Sequence, residues 1–114
     1  MPAYKPVNFL SILAIATSVA VNGQPQLSFQ TADSFYFAGD WNNAAIIYTE
    51  LLKDTSTNSI EWQRLGFANY NLGKQDEALI NYKKAEANNP PAAMQPYLYS
   101  RMAKIYSIKN NNDK

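Results

Sequence analysis

Residues 62–90 of the chain read WQRLGFANYNLGKQDEALINYKKAEANNP. This segment sets large apolar residues and small residues at fixed intervals, namely Trp62, Leu65, Gly66, Ala78, Tyr82 and Pro90. The small residues let two helices approach closely, while the aromatic and aliphatic side chains fill the space between them. The spacing therefore predicts a pair of packed helices joined by a short turn.

The same pattern recurs earlier in the chain at a constant interval of 34 residues. Four pairs of positions show it: Ala32 with Gly66, Gly39 with Gly73, Ala44 with Ala78, and Tyr48 with Tyr82. Tyr99, Ala103 and Tyr106 fit a third, partial copy if a few residues are inserted around 89–96. Self-similarity at a fixed period predicts stacked helical repeats.

With these residues the chain resembles the tetratricopeptide repeat (TPR) family, whose repeats are helix–turn–helix units of about 34 residues. The resemblance implies an all-α solenoid of about two and a half repeats. The repeats span about 25–58 and 59–92, with a partial one at 96–114.

Two departures from the family pattern bear on packing. Ser28 and Thr31 stand where large apolar residues are usual, so we expect loose packing at the start of the first helix. Asn69 stands at an aromatic position, and we expect Tyr70 to compensate for it.

Residues that begin and end helices predict five of them, over about 27–38, 41–54, 59–72, 74–88 and 96–108. Gly39 and Gly73 are natural helix terminators, and Asn58 is a natural N-cap. Pro96 suits the first position of the fifth helix.

The fifth predicted helix carries apolar residues at helical spacing, namely Leu98, Met102, Ile105 and Ile108. By register, residues 110–112 would lie in the turn inside the third repeat, so this helix would lack a partner on one side. We interpret this either as a fragment of a longer protein or as an open face for interaction or self-association.

Residues 1–23 form a segment of a different kind. Lys5 precedes an uncharged apolar run at 9–21, and small residues precede a cleavage point between Gly23 and Gln24. This arrangement is typical of a secretory signal peptide. The run is shorter than the roughly 20 residues that a transmembrane helix needs, which disfavours an uncleaved membrane anchor. We expect a periplasmic or secreted bacterial protein whose TPR domain spans 24–114, with no stable membrane span after cleavage.

Composition limits the chemistry that the chain can perform. The sequence has no histidine and no cysteine, which excludes Ser-His-Asp and Cys-His catalysis and ordinary zinc sites. We therefore expect no enzyme, no cofactor and no metal site. The 10 basic and 9 acidic residues become 9 of each once Lys5 is removed with the signal peptide. A formal charge of zero disfavours nucleic-acid binding, which needs a basic surface.

The TPR resemblance also implies a binding surface, because ligands of that family usually lie in a concave groove lined by the first helix of each repeat. The matching positions are Phe29, Asp33, Tyr36, Phe37, Gln63, Arg64, Phe67, Tyr70, Asn71, Tyr97, Arg101 and Lys104. Aromatic and arginine side chains are favoured at binding hot spots. The alternative for each aromatic residue is that it packs between repeats.

One version of the family binds the C-terminal carboxylate of a chaperone peptide with lysine and asparagine side chains. Phe29 and Asp33 stand at the corresponding first-repeat positions, so we reject that ligand. The sequence instead predicts an exported scaffold that binds a protein or peptide segment. The alternative is an N-terminal TPR module of a larger exported protein that carries its catalytic or transport domain elsewhere.

Overall fold

The computed structural model describes residues 20–21, 24–25, 27–53 and 58–112. Five α-helices lie in these residues: α1 Phe29–Phe37, α2 Trp41–Leu52, α3 Ser59–Asn71, α4 Gln75–Ala87 and α5 Gln95–Asn112. A 3₁₀ turn, Ala92–Met94, precedes α5. A short antiparallel ladder pairs β1, Ala20–Val21, with β2, Gln24–Pro25.

The body of the described chain is thus all-α, as the sequence predicts. The predicted signal peptide lies outside the described residues except for Ala20 and Val21, which form β1. No helix within the described ranges combines the length and the apolar character that crossing a bilayer requires.

Side-chain caps begin three of the helices. Asn58 accepts a hydrogen bond from the backbone N–H of Ile60 at 2.9 Å, which confirms the predicted N-cap of α3. Ser28 accepts from the N–H of Thr31 at 3.1 Å and caps α1 in the same way. Asp40 accepts from the N–H of Asn43 at 3.2 Å and caps α2.

The start of α1 is well packed. Thr31 is only 1% exposed, so the expectation of loose packing at this helix start is wrong. Polar side chains fit at these two positions because the Ser28 hydroxyl caps α1 and also forms a hydrogen bond with the Thr31 hydroxyl.

The turns that end α1 and α3 have the same backbone geometry. Gly39 has φ +77° and Gly73 has φ +79°, which is the left-handed conformation that glycine adopts without strain. Asp40 N donates to the carbonyl of Phe35 at 2.9 Å, and in the second turn Lys74 N donates to the carbonyl of Asn69 at 2.9 Å. The repeat read from the sequence is therefore present in the backbone hydrogen bonds.

Consecutive helices pack side by side around one core, and α1 also touches α3. The predicted core positions of both copies are buried, namely Ala32, Ala44, Tyr48, Ala78 and Tyr82. Gly66 lies against the ring of Tyr82 so closely that a Cβ atom at position 66 would be 2.8 Å from Tyr82 Cε1. Close approach of α3 and α4 thus depends on the absence of a side chain at Gly66.

The fifth helix differs most from its prediction. Residues 110–112 continue α5 instead of forming a turn. Leu98, Met102 and Ile105 are buried in the core and Ile108 is half-buried, so the predicted apolar residues of this helix pack against the rest of the helical body. The face of α5 that stays exposed carries Tyr99 and Tyr106. The other four helices agree with their predicted bounds to within two residues at each end.

Candidate functional site

A cavity of about 250 Å³ opens between α1, α3 and α5, and we call it the groove pocket. Its lining residues are Tyr36, Phe37, Ile60, Gln63, Arg64, Met94, Tyr97 and Arg101. All of these except Ile60 and Met94 are among the groove positions predicted from the sequence. Residues from three separate helices therefore meet at one concave surface.

A cluster of aromatic rings packs next to the groove pocket. The ring centroid of Tyr36 lies 5.5 Å from that of Trp41 and 6.1 Å from that of Phe67. Trp41 and Phe67 are 5.4 Å apart with planes at 87°. Edge-to-face contacts of this kind stabilise by roughly 0.5–1.5 kcal/mol each beyond area burial. Tyr36 and Phe67 thus join α1 and α2 to α3, and burial raises the pKa of the Tyr36 hydroxyl.

Arg64 is bound to carboxylates of the protein itself. Its Nη1 atom lies 2.8 Å from Asp33 Oδ1 and 3.7 Å from Glu61 Oε2. The hydroxyl of Tyr48 donates to the same Asp33 oxygen. Burial opposes the charge of Arg64, but the hydrogen bond to Asp33 and the carboxylate charge outweigh it and raise the Arg64 pKa. Burial, together with the bond to Asp33, also raises the pKa of Tyr48.

Arg101 has a different environment. Its guanidinium carbon lies 3.8 Å from the ring centroid of Phe67, in the geometry of a cation–π contact. No carboxylate of the described residues forms a salt bridge with Arg101, whereas Arg64 has two such partners. The nearby hydroxyl of Tyr82 has no hydrogen-bond partner in the described chain. Burial raises the Tyr82 pKa to about 12, and the proximity of Arg101 acts against that shift.

Two aromatic residues of the groove pocket face solvent. Phe37 is 70% exposed and Tyr97 is 59% exposed. The Arg64 guanidinium carbon lies 5.0 Å from the Phe37 ring centroid, which orients that ring from one side. Each ring therefore presents apolar surface that a bound segment could cover.

The remaining predicted groove residues lie outside the lining. Asp33 lies behind Arg64, and Phe67 lies beneath Arg101. Phe29 and Tyr70 are partly buried and pack against the core. Asn71 donates to the carbonyl of Phe67 at 2.8 Å on an exposed surface. Lys104 is exposed on α5.

Two residues that line the groove pocket, Ile60 and Met94, were not predicted from the sequence. Ile60 comes from the first turn of α3, and Met94 comes from the 3₁₀ turn before α5. Gln95 Nε2 donates to the carbonyl of Pro90 at 3.1 Å and closes this connection. The residues inserted around 89–96 were a signal that the third copy begins differently, and the insertion supplies Met94.

A second cavity of about 370 Å³ lies between α2, α3 and α4. Several of its side chains bind one another: Asn69 donates to Asn81 at 2.7 Å, and Lys84 Nζ lies 4.7 Å from the Trp62 ring centroid. These side chains have partners already, so the groove pocket is the stronger candidate. Within the described ranges, no group of three or more His, Cys, Asp or Glu side chains is placed to hold a metal ion.

A scan against protein-family models, a search of curated proteins and a search of solved structures found no match for the chain.

Proposed function

We propose that the chain is an exported TPR-type scaffold that binds an extended protein or peptide segment in the groove pocket. The observation that carries this proposal is the pair of exposed aromatic rings, Phe37 and Tyr97, which flank one concave surface from two different helices. Rigid aromatic side chains bury a large area at low entropic cost, which is why they dominate binding hot spots.

The repeated geometry supports the TPR part of the proposal. The turns at Gly39 and Gly73 share the same positive φ and the same hydrogen bond. The small residues and tyrosines of the two copies are buried at equivalent places. A solenoid built this way presents the first helix of each pair along one surface. The groove pocket draws on α1 and α3, the first helices of the two pairs, and on α5.

Selection from a random display library, with the full-length chain as bait, tests the proposal. Each displayed segment is anchored by linkers at both ends, so that it binds as an internal segment. We expect enriched sequences that compete with one another for one site. The double variant Phe37→Ser/Tyr97→Ser should bind them at least tenfold more weakly, because truncating a hot-spot aromatic costs about 2 kcal/mol or more.

The matched control is Ile80→Ser/Tyr99→Ser, which removes two exposed apolar side chains outside the groove pocket. This control should bind as the wild type does. Thermal unfolding followed by circular dichroism checks that both double variants stay folded. Equal losses in the two variants, or a loss in the control alone, would place binding elsewhere on the molecule.

A further inference from the structure

We infer that the groove pocket selects segments in which an aspartate or glutamate neighbours an aliphatic or aromatic residue, with Arg101 binding the carboxylate. This inference rests on the proposed function of the same site. It commits to an internal acidic side chain as the occupant.

The first argument is charge. The two guanidinium groups of the lining differ in what they still offer to a ligand. Arg64 is held at 2.8 Å from Asp33 and 3.7 Å from Glu61, so its charge is neutralised within the protein. Arg101 has no salt bridge to a described carboxylate, and the described lining contains no acidic side chain. The unneutralised positive charge of the groove pocket is therefore that of Arg101.

The second argument is geometry. Phe67 supports the Arg101 guanidinium at 3.8 Å from its ring centroid, and the Arg101 side chain is half-buried. A guanidinium held in one plane can donate two parallel hydrogen bonds to a carboxylate with less entropic loss than a free one. Partial burial also reduces screening by salt, so a carboxylate bound there is attracted more strongly than at an open surface.

The third argument is the apolar surface next to this charge. Tyr97 lies one turn before Arg101 on α5, and Met94 and Ile60 complete that side of the lining. A segment whose carboxylate meets Arg101 therefore places its neighbouring side chain on Tyr97, Met94 and Ile60. An apolar neighbour fits those three side chains, whereas a charged neighbour would be desolvated without a partner.

The experiment repeats the library selection with the wild type, with Arg101→Gln and with Lys104→Gln. Lys104 is exposed on the same helix and outside the lining, so its substitution removes an equal charge without touching the groove pocket. We expect acidic residues beside apolar ones in the wild-type and Lys104→Gln selections and no acidic enrichment with Arg101→Gln. Synthetic versions of a selected segment, capped at both ends and carrying Glu or Gln, should differ about tenfold or more in affinity for the wild type.

Failures of the two proposals are distinguishable. Enriched segments without acidic residues, displaced by Phe37→Ser/Tyr97→Ser, would overturn the Arg101 inference and leave the scaffold proposal standing. Equal loss of acidic preference in Lys104→Gln would reduce the effect to general charge and overturn the role of Arg101. Enrichment of nothing by the wild type would overturn both proposals.

Two other ligands of the groove pocket would give different experimental results. A preference for the free C-terminal acid over the amide of a synthetic segment that lacks acidic side chains would assign Arg101 to a chain terminus. A dimer of the full-length chain in light scattering that Arg101→Gln dissociates would assign the groove pocket to a second copy. Either result would overturn the inference of an internal acidic segment.

Discussion

Replacing Gly66 with alanine tests how closely α3 and α4 pack. The new Cβ atom would lie 2.8 Å from Tyr82 Cε1 and 2.9 Å from Tyr82 Cδ1. Unstrained carbon atoms in contact are about 3.5–4.0 Å apart. Tyr82 is 1% exposed, so its ring cannot move aside into solvent. Either the two helices separate or the ring leaves its preferred rotamer.

Two opposing effects set the magnitude for Gly66→Ala. Replacing glycine in a helix interior stabilises by roughly 0.5–1 kcal/mol through the unfolded chain. Overpacking a well-packed core costs about 1–3 kcal/mol. The steric cost outweighs the propensity gain, so we expect a net loss of about 1 kcal/mol. For a domain of this size that corresponds to a Tm lower by roughly 4–8 °C.

Urea unfolding of a double-mutant cycle isolates the contact. In a Tyr82→Leu background the ring atoms that clash are gone, so Gly66→Ala should become neutral or stabilising there. Gly73→Ala is the matched control: it has φ +79° and nothing within 4 Å of the added Cβ atom. Its loss of about 1–2 kcal/mol comes from backbone strain and should be the same in both backgrounds.

The result that refutes this reasoning is a stabilised Gly66→Ala variant in the wild-type background. A gain of roughly 0.5–1 kcal/mol is what helix propensity alone predicts. It would mean that the helices are not held in close contact at Gly66.

Buried groups and the N-terminal segment give three more predictions. Tyr48→Phe should cost about 1 kcal/mol in urea unfolding because its hydroxyl donates to Asp33. Tyr82→Phe should cost less, because the buried Tyr82 hydroxyl has only the nearby Arg101 as a polar neighbour and forms no hydrogen bond of normal length with a described residue. Burial, with the charge of Asp33, raises the Glu61 pKa above its ordinary value of 4.5. The folded state therefore binds this proton more tightly, and the Glu61 contribution to stability falls as pH rises above about 4.5. Unfolding over a pH series should show Glu61→Gln gaining stability relative to the wild type over that range, and a constant difference would contradict the shift. Mass spectrometry of the exported chain should find an N-terminus at Gln24, and one at Met1 would contradict cleavage.

The existence of all five helices and the ends of α1–α4 were predictable because their causes are local. Gly39 and Gly73 adopt positive φ, which glycine alone adopts without cost, and the two turns repeat each other's hydrogen bonds. Asn58 caps α3 through its own side chain. These signals depend on a few neighbouring residues, so they survive without knowledge of the tertiary contacts.

Contacts between distant segments were less predictable. Asn69 stands at an aromatic position of the repeat, yet it is buried because Asn81 lies 2.7 Å away and accepts its hydrogen bond. Ile60 and Met94 line the groove pocket because a 3₁₀ turn brings the segment before α5 next to the start of α3. Neither pairing has a local pattern that marks it.

The spacing and the TPR resemblance were together sufficient to predict Arg64 and Arg101 on one surface, once about three residues are inserted before the third copy. They were not sufficient to say which of the two is neutralised. Arg64 has its partner in Asp33, on a different helix, and the two atoms meet at 2.8 Å only because α1 and α3 pack together. Charge neutralisation depends on distance through space and on burial, and both are set by how the helices pack.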